Sequence, residues 1–354
     1  MNITKGEIMN NLKKVGLTAL AGSLAAVSAN AVEMSVSGET TASYISNTGN
    51  KIATVGGNSI ATSTGMTFSG SGELENGWTV SSVNILNDGD ANALSSSQLH
   101  LTMGSMGKIT FAKAGGSAAN AIDDVTPKVA EEAWDGAGGS VLQTFGAATN
   151  SGSVSYALPA IELMGATISA AVDYDPAAGA AGNDHDAVAA KTKTQGSGTA
   201  VVVKIAHESG LTIGAGQEDI SSASGTDPEA SNTTAYALYT MGPVSIGYQQ
   251  YYLDQGTSTS GGSTPSRDYS GDAVGIAFNV NDQLSVGYQK VSEDQEAGAG
   301  TVAANREIKS LTAAYSSGGM TMSVQSTDTD NYAMAAAASA LDTETVQVTL
   351  SFAF

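Results

Sequence analysis

Residues 345–354 read TVQVTLSFAF and alternate without exception between two kinds of side chain. Because successive side chains of a β-strand point to opposite sides, this pattern gives an extended segment two different faces. One face holds Val346, Val348, Leu350, Phe352 and Phe354, and the other holds Thr345, Gln347, Thr349, Ser351 and Ala353. The stretch therefore predicts a terminal β-strand with one apolar face and one small or polar face.

The same period of two recurs through the chain from about residue 34 onward. Leu99, Leu101 and Met103 show it, as do Ile276 and Phe278. After residue 32 no apolar run approaches the roughly 18 residues that a membrane-spanning helix requires. We count about sixteen alternating segments, and closed membrane barrels also have even strand numbers.

Two kinds of connection join these segments. Short turns are predicted at 76–77, 104–107, 208–210, 242–243, 281–282 and 318–319. Long polar connections are predicted at 47–65, 175–196, 219–231, 254–270, 293–305 and 327–340. Asn-Gly at 76–77 is the strongest short hairpin signal. Tight turns at one end and long loops at the other are typical of an outer-membrane barrel.

A soluble β-sandwich could alternate just as regularly, with its apolar face buried between two sheets. The polar face here, however, is mostly Ser, Thr, Gly and Gln rather than Lys and Glu, which suits a wet but confined interior. Only helices and closed barrels satisfy every backbone group inside hydrocarbon. The predicted fold is therefore all-β: an antiparallel up-and-down transmembrane barrel over residues 32–354.

The first 31 residues resemble a secretory signal. Lys13 and Lys14 precede an apolar core over 15–27, and Ala29-Asn30-Ala31 places small residues where a signal peptidase cleaves. Removing residues 1–31 takes away three lysines and one glutamate, which leaves 11 basic and 33 acidic residues. The sequence thus predicts an exported, strongly acidic protein, with cleavage near Ala31.

One segment, residues 114–149, does not alternate. It carries five carboxylates and a single basic residue, Lys128. The carboxylates are Asp123, Asp124, Glu131, Glu132 and Asp135. Loops longer than about 12–15 residues inside a domain are usually functional or disordered. Val125, Trp134 and other apolar residues give this one anchors that a free linker would not need. We expect an ordered acidic loop rather than a solvated surface run of charge.

Composition excludes several functions. The net charge of −20 argues against binding nucleic acid, which needs Lys and Arg. The chain has no Cys, and none of its three His lies in a recognisable nucleophile motif, so catalysis is not expected. The oxygen ligands at 87–90 and 328–331 lack the spacing of a calcium loop. No cofactor is predicted, and weak Ca²⁺ binding by loop carboxylates is left open.

As a whole the chain resembles the general bacterial porins of Gram-negative bacteria, in particular those of alphaproteobacterial type. The resemblance rests on the signal segment, the sixteen alternating strands, the segment Asp124-Val-Thr-Pro-Lys-Val-Ala-Glu-Glu-Ala-Trp-Asp-Gly136 and the aromatic terminal strand. It implies that residues 114–149 form a third loop folded into the lumen and that the protein is a trimer. It also implies that Phe352 and Phe354 are recognised by the outer-membrane insertion machinery. One departure is the scarcity of arginine, since only Arg267 and Arg306 occur.

These observations predict a passive, water-filled outer-membrane channel for small hydrophilic solutes and ions, in contact with membrane lipid and lipopolysaccharide. Carboxylates in a pore favour cations, so we expect the five acidic residues at the constriction to make it cation-preferring. By strand parity Lys204 and Arg306 fall on the polar face and are assigned to the lumen wall facing the loop; a rim position is the alternative. The alternative function is an exported structural or adhesive β-protein of surface-layer or passenger type.

Overall fold

The computed structural model describes residues 33–49, 57–88, 94–134, 145–146, 149, 152–178, 196–221, 229–254, 268–296, 304–332, 334 and 342–354. The predicted signal segment and Asp135 lie outside these ranges. The strands are β1 Glu33–Gly49, β2 Gly57–Glu73, β3 Thr79–Asn87, β4 Leu94–Thr102, β5 Lys108–Ala114, β6 Ser153–Ala157, β7 Ile161–Leu163, β8 Ala166–Asp175, β9 Gly198–His207, β10 Leu211–Ile220, β11 Ala230–Met241, β12 Val244–Asp254, β13 Tyr269–Asn279, β14 Leu284–Gln295, β15 Ala304–Ser317, β16 Met320–Asp330 and β17 Thr343–Ala353.

The strands form one closed antiparallel sheet. Apart from β6 and β7, which both pair with β8, each strand pairs with its neighbours in sequence, and β17 returns to pair with β1 from Glu39↔Ala353 to Gly49↔Thr343. Closure pairs the first strand with the last, which satisfies backbone groups that an open sheet would leave unpaired in hydrocarbon. The predicted closed barrel is confirmed.

Strands β6 and β7 are the two halves of a single strand of the barrel wall. Both β6 and β7 pair with β8, and the residues between them include Pro159. Proline has no N–H to donate to the ladder, so it interrupts the strand without ending the wall. Counting β6 and β7 as one gives the sixteen wall strands predicted from the sequence.

Tight turns join the strands at one end of the barrel. Between β2 and β3, Gly77 has φ +78°, the Leu74 N–H donates to the Trp78 carbonyl at 2.7 Å, and the Trp78 N–H donates to Asn76 Oδ1 at 3.1 Å. Glycine adopts this backbone conformation without steric cost. The hairpin predicted at 76–77 is therefore confirmed.

The predicted long connection at 47–65 is shorter in the structure. β1 continues to Gly49 and β2 begins at Gly57, with Asn47 paired opposite Gly57. Serine and threonine occupy both faces of this stretch, so the backbone ladder continues where the apolar alternation has ended. Strand pairing is set by the backbone, and the pattern of apolar residues reports only its membrane-facing part.

The two faces of the wall differ sharply. On β12, Ile246, Tyr248 and Tyr252 are exposed on the outer face, whereas Gln249 and Tyr251 are buried on the inner face. The same arrangement holds around the barrel, where Phe111, Tyr156, Val203, Leu311 and Met322 are exposed. So large an exposed apolar surface marks contact with a membrane or another protein. Among the described residues, no helix is long and apolar enough to cross a membrane.

Candidate functional site

The acidic segment 114–149 is attached to the inner face of the wall near both of its ends. Asp173 on β8 accepts hydrogen bonds from the N–H groups of Ala118 at 3.1 Å and Ala119 at 2.7 Å. Glu218 on β10 accepts bonds from the N–H of Gly146 at 2.9 Å and from Thr149, through its N–H and its hydroxyl. Two buried carboxylates thus hold the two arms of the segment.

Three glutamines hold its middle. Gln249 accepts from the Val125 N–H at 2.9 Å and donates to the Ile122 carbonyl at 2.8 Å. Gln289 accepts from the Ala133 N–H at 2.9 Å and donates to the Thr126 hydroxyl at 3.3 Å. Gln325 donates to the carbonyls of residues 131 and 132, each at 3.2 Å. These side chains lie on β12, β14 and β16, so residues 122–133 run along the inner wall across these strands.

Apolar packing supports the same path. Trp134 and Ala133 pack with Tyr251, Val291 and Ile308 in one buried cluster. In a second cluster Ile122 and Phe145 pack with Val202 and Tyr236, and Val125 lies against it. These contacts explain why Trp134 and Val125 occur in a segment that is otherwise acidic and glycine-rich.

Glycines on the inner face provide the space that this packing requires. A Cβ added to Gly275 would lie 2.5 Å from the Pro127 carbonyl oxygen, and one added to Gly247 would lie 2.5 Å from Pro127 Cδ. A Cβ on Gly287 would lie 2.7 Å from Val129 Cγ2. A side chain at Gly275 would have to displace the main chain of Pro127, and one at Gly247 or Gly287 would have to displace the side chain of Pro127 or Val129.

Two of the five predicted carboxylates are in direct contact. Asp123 and Asp124 are half-buried, and their side chains share a hydrogen bond. Burial, followed by the neighbouring charge and hydrogen bond of Asp124, raises the pKa of Asp123 to about 8. Two adjacent carboxyls resist losing both protons. Asp123 is therefore mostly protonated at neutral pH.

The other predicted carboxylates have different surroundings. Glu132 is buried and forms an ion pair with Lys128, so its charge is balanced within the segment. Glu131 is exposed. Asp135 lies outside the described residues. Which of the five face a permeating ion stays a prediction.

The two predicted basic residues lie on the same half of the wall as the segment. Lys204 is exposed on β9, on the face that also carries Ala200 and Val202. Arg306 on β15 is buried, forms an ion pair with Glu293, and donates to the Tyr332 carbonyl at 3.2 Å. The guanidinium charge is thus balanced inside the wall by a neighbouring strand.

The remaining part of the wall is lined differently. Among the described residues, the side chains that hydrogen-bond the segment lie on β8, β10, β12, β14 and β16 rather than on β17 or β1 to β3. The inner faces of those strands carry hydroxyls, including Ser35, which lies 2.8 Å from Ser69, and Thr345, which donates to Asn47 at 2.7 Å. Glu39 is exposed on this inner face. The inner face of these strands is therefore mostly neutral and hydrogen-bonding.

The two terminal phenylalanines lie on the outer face. Phe352 and Phe354 are exposed, and their rings stack with centroids 6.4 Å apart. The alternation of the terminal strand indicates these two residues, whereas no such pattern indicates Gln249, Gln289 and Gln325, whose partners lie more than a hundred positions away. The only available signal was a glutamine on the polar face of alternate strands. Among the described residues, no group of three or more His, Asp or Glu could hold a metal ion.

A closed barrel with an apolar outer face and a polar inner face, to which described residues of the segment are hydrogen-bonded, has the architecture of an outer-membrane channel. Residues 16–249 match the Gram-negative porin family. The match covers more than half of the 354 residues, and the chain belongs to this family. Family and fold are those of outer-membrane channels rather than enzymes. A comparison with curated protein sequences gave no significant match.

Solved structures agree on the fold. A porin refined at 1.8 Å resolution is 15% identical, with a TM-score of 0.63 over 91% of this chain and all of that one. The anion-selective porin of Comamonas acidovorans is also 15% identical, with a TM-score of 0.63, over 92% of this chain and all of that one. A trimer form of OmpT from Vibrio cholerae is 12% identical, with a TM-score of 0.65, over 92% of this chain and all of that one. At these identities the likeness is one of fold alone.

Proposed function

We propose that this porin is a passive general-diffusion channel that prefers cations. The observation that carries the proposal is the acidic segment 114–149, which is attached to the inner wall along β8 to β16. In that position it lies in the lumen as the third loop and narrows the water-filled passage. The opening that remains is bounded by the segment on one side and by the hydroxyl-lined wall of β17 and β1 to β3 on the other.

Selection in such a passage is by size and by charge. Solutes wider than the gap are excluded, and small hydrophilic solutes exchange hydrogen bonds with serines and threonines instead of water. Negative charge from the Asp123–Asp124 pair and from Glu131 attracts cations, because low-dielectric walls concentrate the field in a narrow pore. Glu39 on the opposite wall adds to that field. Arg306 is paired to Glu293, so the positive charge that opposes this field comes from residues such as Lys204, which is exposed on the inner face of β9.

We further propose a homotrimer. On the outer face, the Thr40 and Thr64 hydroxyls lie 3.2 Å apart, and Asn84 donates to Ser82 and accepts from Ser97. Hydrocarbon is a poor environment for such polar groups. A second copy of the chain would cover this part of β1 to β4, and the trimer form of the similar OmpT structure is consistent with that arrangement.

The remaining partners follow from location. Residues 1–31 would be removed near Ala31 on export, and Phe352 and Phe354 would be recognised by the outer-membrane insertion machinery. Lipid and lipopolysaccharide would surround the apolar face that the trimer leaves open. An exported structural or adhesive β-protein is the alternative, and the family match favours the channel over it.

Single-channel recording in a planar bilayer under a salt gradient tests the proposal. We expect stepwise conductance with a reversal potential that favours cations. Conductance with anion preference would retain the channel and reject the role of the acidic segment. Correctly folded protein that does not conduct would reject the channel in favour of the structural alternative.

A further inference from the structure

We infer that Gln249, Gln289 and Gln325 form a latch that fixes the acidic segment at one distance from the wall and thereby sets a single open state. The inference rests on the proposed channel function, which it deepens by naming positioning residues on the barrel. These glutamines need not touch a permeating solute, since they act through the backbone of the segment.

The geometry of the latch is regular. The three glutamines lie on β12, β14 and β16, so one occurs on every second strand of the inner wall. All three are at least 95% buried, and each bonds to main-chain or hydroxyl groups at 122–133. A glutamine amide offers both a donor and an acceptor. One side chain can therefore satisfy a loop N–H and a loop carbonyl together, as Gln249 does.

Strand β13, which lies between the strands of Gln249 and Gln289, contributes space for the segment rather than a side-chain hydrogen bond. Gly275 on β13 lies so near Pro127 that an added Cβ would meet both its N and its O, at 2.9 Å and 2.5 Å. Gly247 on β12 and Gly287 on β14 approach Pro127 Cδ and Val129 Cγ2 in the same way. Donors, acceptors and empty space on the wall thus match the course of the segment.

Loss of the latch should loosen the segment without opening the barrel. Wall strands are joined by backbone bonds that do not involve these side chains, whereas the segment depends on them. Replacing one glutamine by methionine keeps the length of the side chain and removes at least two hydrogen bonds to the segment. At the usual net strength of such bonds, the ratio of unseated to seated segment should rise about thirtyfold per glutamine.

The test is single-channel recording of Gln249→Met, Gln289→Met, Gln325→Met and the triple variant in planar bilayers. Gln250→Met is the matched control, since Gln250 lies next to Gln249 but is exposed on the outer face. We expect the latch variants to show greater open-channel current noise and sub-states, increasing from single to triple. Liposome swelling should show passage of larger neutral sugars, and heat-modifiable migration should confirm a folded barrel.

A disulfide cross-link between the segment and the wall provides an independent test. The chain contains no Cys, and a Cβ on Gly287 would lie 3.3 Å from Val129 Cβ, close to the roughly 3.5–4.5 Å of a disulfide. Val129→Cys with Gly287→Cys in the triple variant should therefore restore quiet conductance when oxidised and lose it on reduction. This arm stays informative if one latch substitution folds poorly, because the disulfide can also be placed in a single variant.

The outcomes separate the two proposals. If the unaltered protein does not conduct, the channel function itself fails. If it conducts but the latch variants keep its noise, sub-states and size limit, only the latch is rejected. A disulfide that forms but leaves the noise of the triple variant unchanged would also reject the latch.

Discussion

The ring of Phe354 covers Gly38 at the seam where the barrel closes. The Gly38 N–H donates to the Phe354 carbonyl at 2.8 Å, and the Phe354 N–H donates to the Gly38 carbonyl at 2.9 Å. A Cβ on residue 38 would lie 2.5 Å from Phe354 Cε2. The last residue of the chain is therefore fixed to the first strand by its backbone and packed by its ring against a position with no side chain.

Gly38→Ala should weaken this seam. The added methyl group forces the Phe354 ring away, and overpacking of this kind costs about 1–3 kcal/mol. Equilibrium unfolding by urea in lipid vesicles should show the loss. Gly65→Ala is the control, since its Cβ would meet only the Leu86 carbonyl oxygen, at 3.7 Å. Equal stability of the two variants would contradict a packing role for the Phe354 ring.

The wall of the barrel was predictable because its physical cause is local. A membrane-spanning strand must present apolar side chains at alternate positions. The alternation in residues 345–354 is therefore enough to predict a strand, even when the strand it pairs with is not known. The break at Pro159 and the extension of β2 down to Gly57 were not predictable in this way. Backbone pairing there continues through residues whose side chains carry no apolar pattern.

The inner attachment of the acidic segment was less predictable. Trp134 indicated that the segment must pack somewhere, but no local pattern identifies Gln289 as the acceptor for the Ala133 N–H, 156 positions earlier. The net charge of the segment was equally unpredictable from the sequence. A count of carboxylates at 123–135 does not reveal that Glu132 is paired with Lys128 or that Asp123 shares a hydrogen bond with Asp124.

Cation preference should increase with pH across the neutral range. The pKa of Asp123 is raised to about 8 by burial and by Asp124, so this carboxyl is mostly protonated at pH 7 and ionised at pH 9. Ionisation adds a negative charge beside the passage. Reversal potentials under a fixed salt gradient at pH 6, 7, 8 and 9 should shift toward the cation value as pH rises.

The matched variant for this effect is Asp123→Asn, which should remove the shift between pH 7 and 9. Folding stability gives a second readout. An unfolded Asp loses its proton near 3.8 and the folded one near 8, so the folded state holds more protons in between. Stability should therefore fall as pH rises through that window, and less so in Asp123→Asn. A pH shift that persists in the variant would assign the effect to another group.

The buried ion pair of Arg306 and Glu293 should contribute far more to stability than the exposed pairs on the outer face. Arg306→Met removes the cation that balances the buried Glu293 carboxylate, at a cost of about 3–5 kcal/mol. Lys309, whose partner is Glu307, is the control because both side chains are exposed to solvent by about a third or more. Lys309→Met should cost at most about 1 kcal/mol.

The double variant Arg306→Met with Glu293→Gln separates loss of a partner from loss of packing. Removing both charges eliminates the buried negative charge that Arg306 no longer balances, so much of the lost stability should return. Urea midpoints for the two single variants and the double variant provide the measurement. If the double variant is no more stable than Arg306→Met, the cost lies in packing and the hydrogen bond to Tyr332 rather than in the charge.

Gly275→Ala should lower the conductance. Its Cβ would meet the main chain of Pro127 rather than a flexible side-chain end, so the segment itself has to move, and the wall behind the glycine allows movement only toward the passage. Single-channel conductance of this variant should fall below that of the unaltered protein, with the barrel still folded. Gly65→Ala adds the same methyl group to the inner face of β2, away from the segment, and should leave conductance nearly unchanged. An equal fall in both variants would show that a methyl group anywhere on the wall narrows the passage. The close contact between Gly275 and Pro127 would then have no particular effect on conductance.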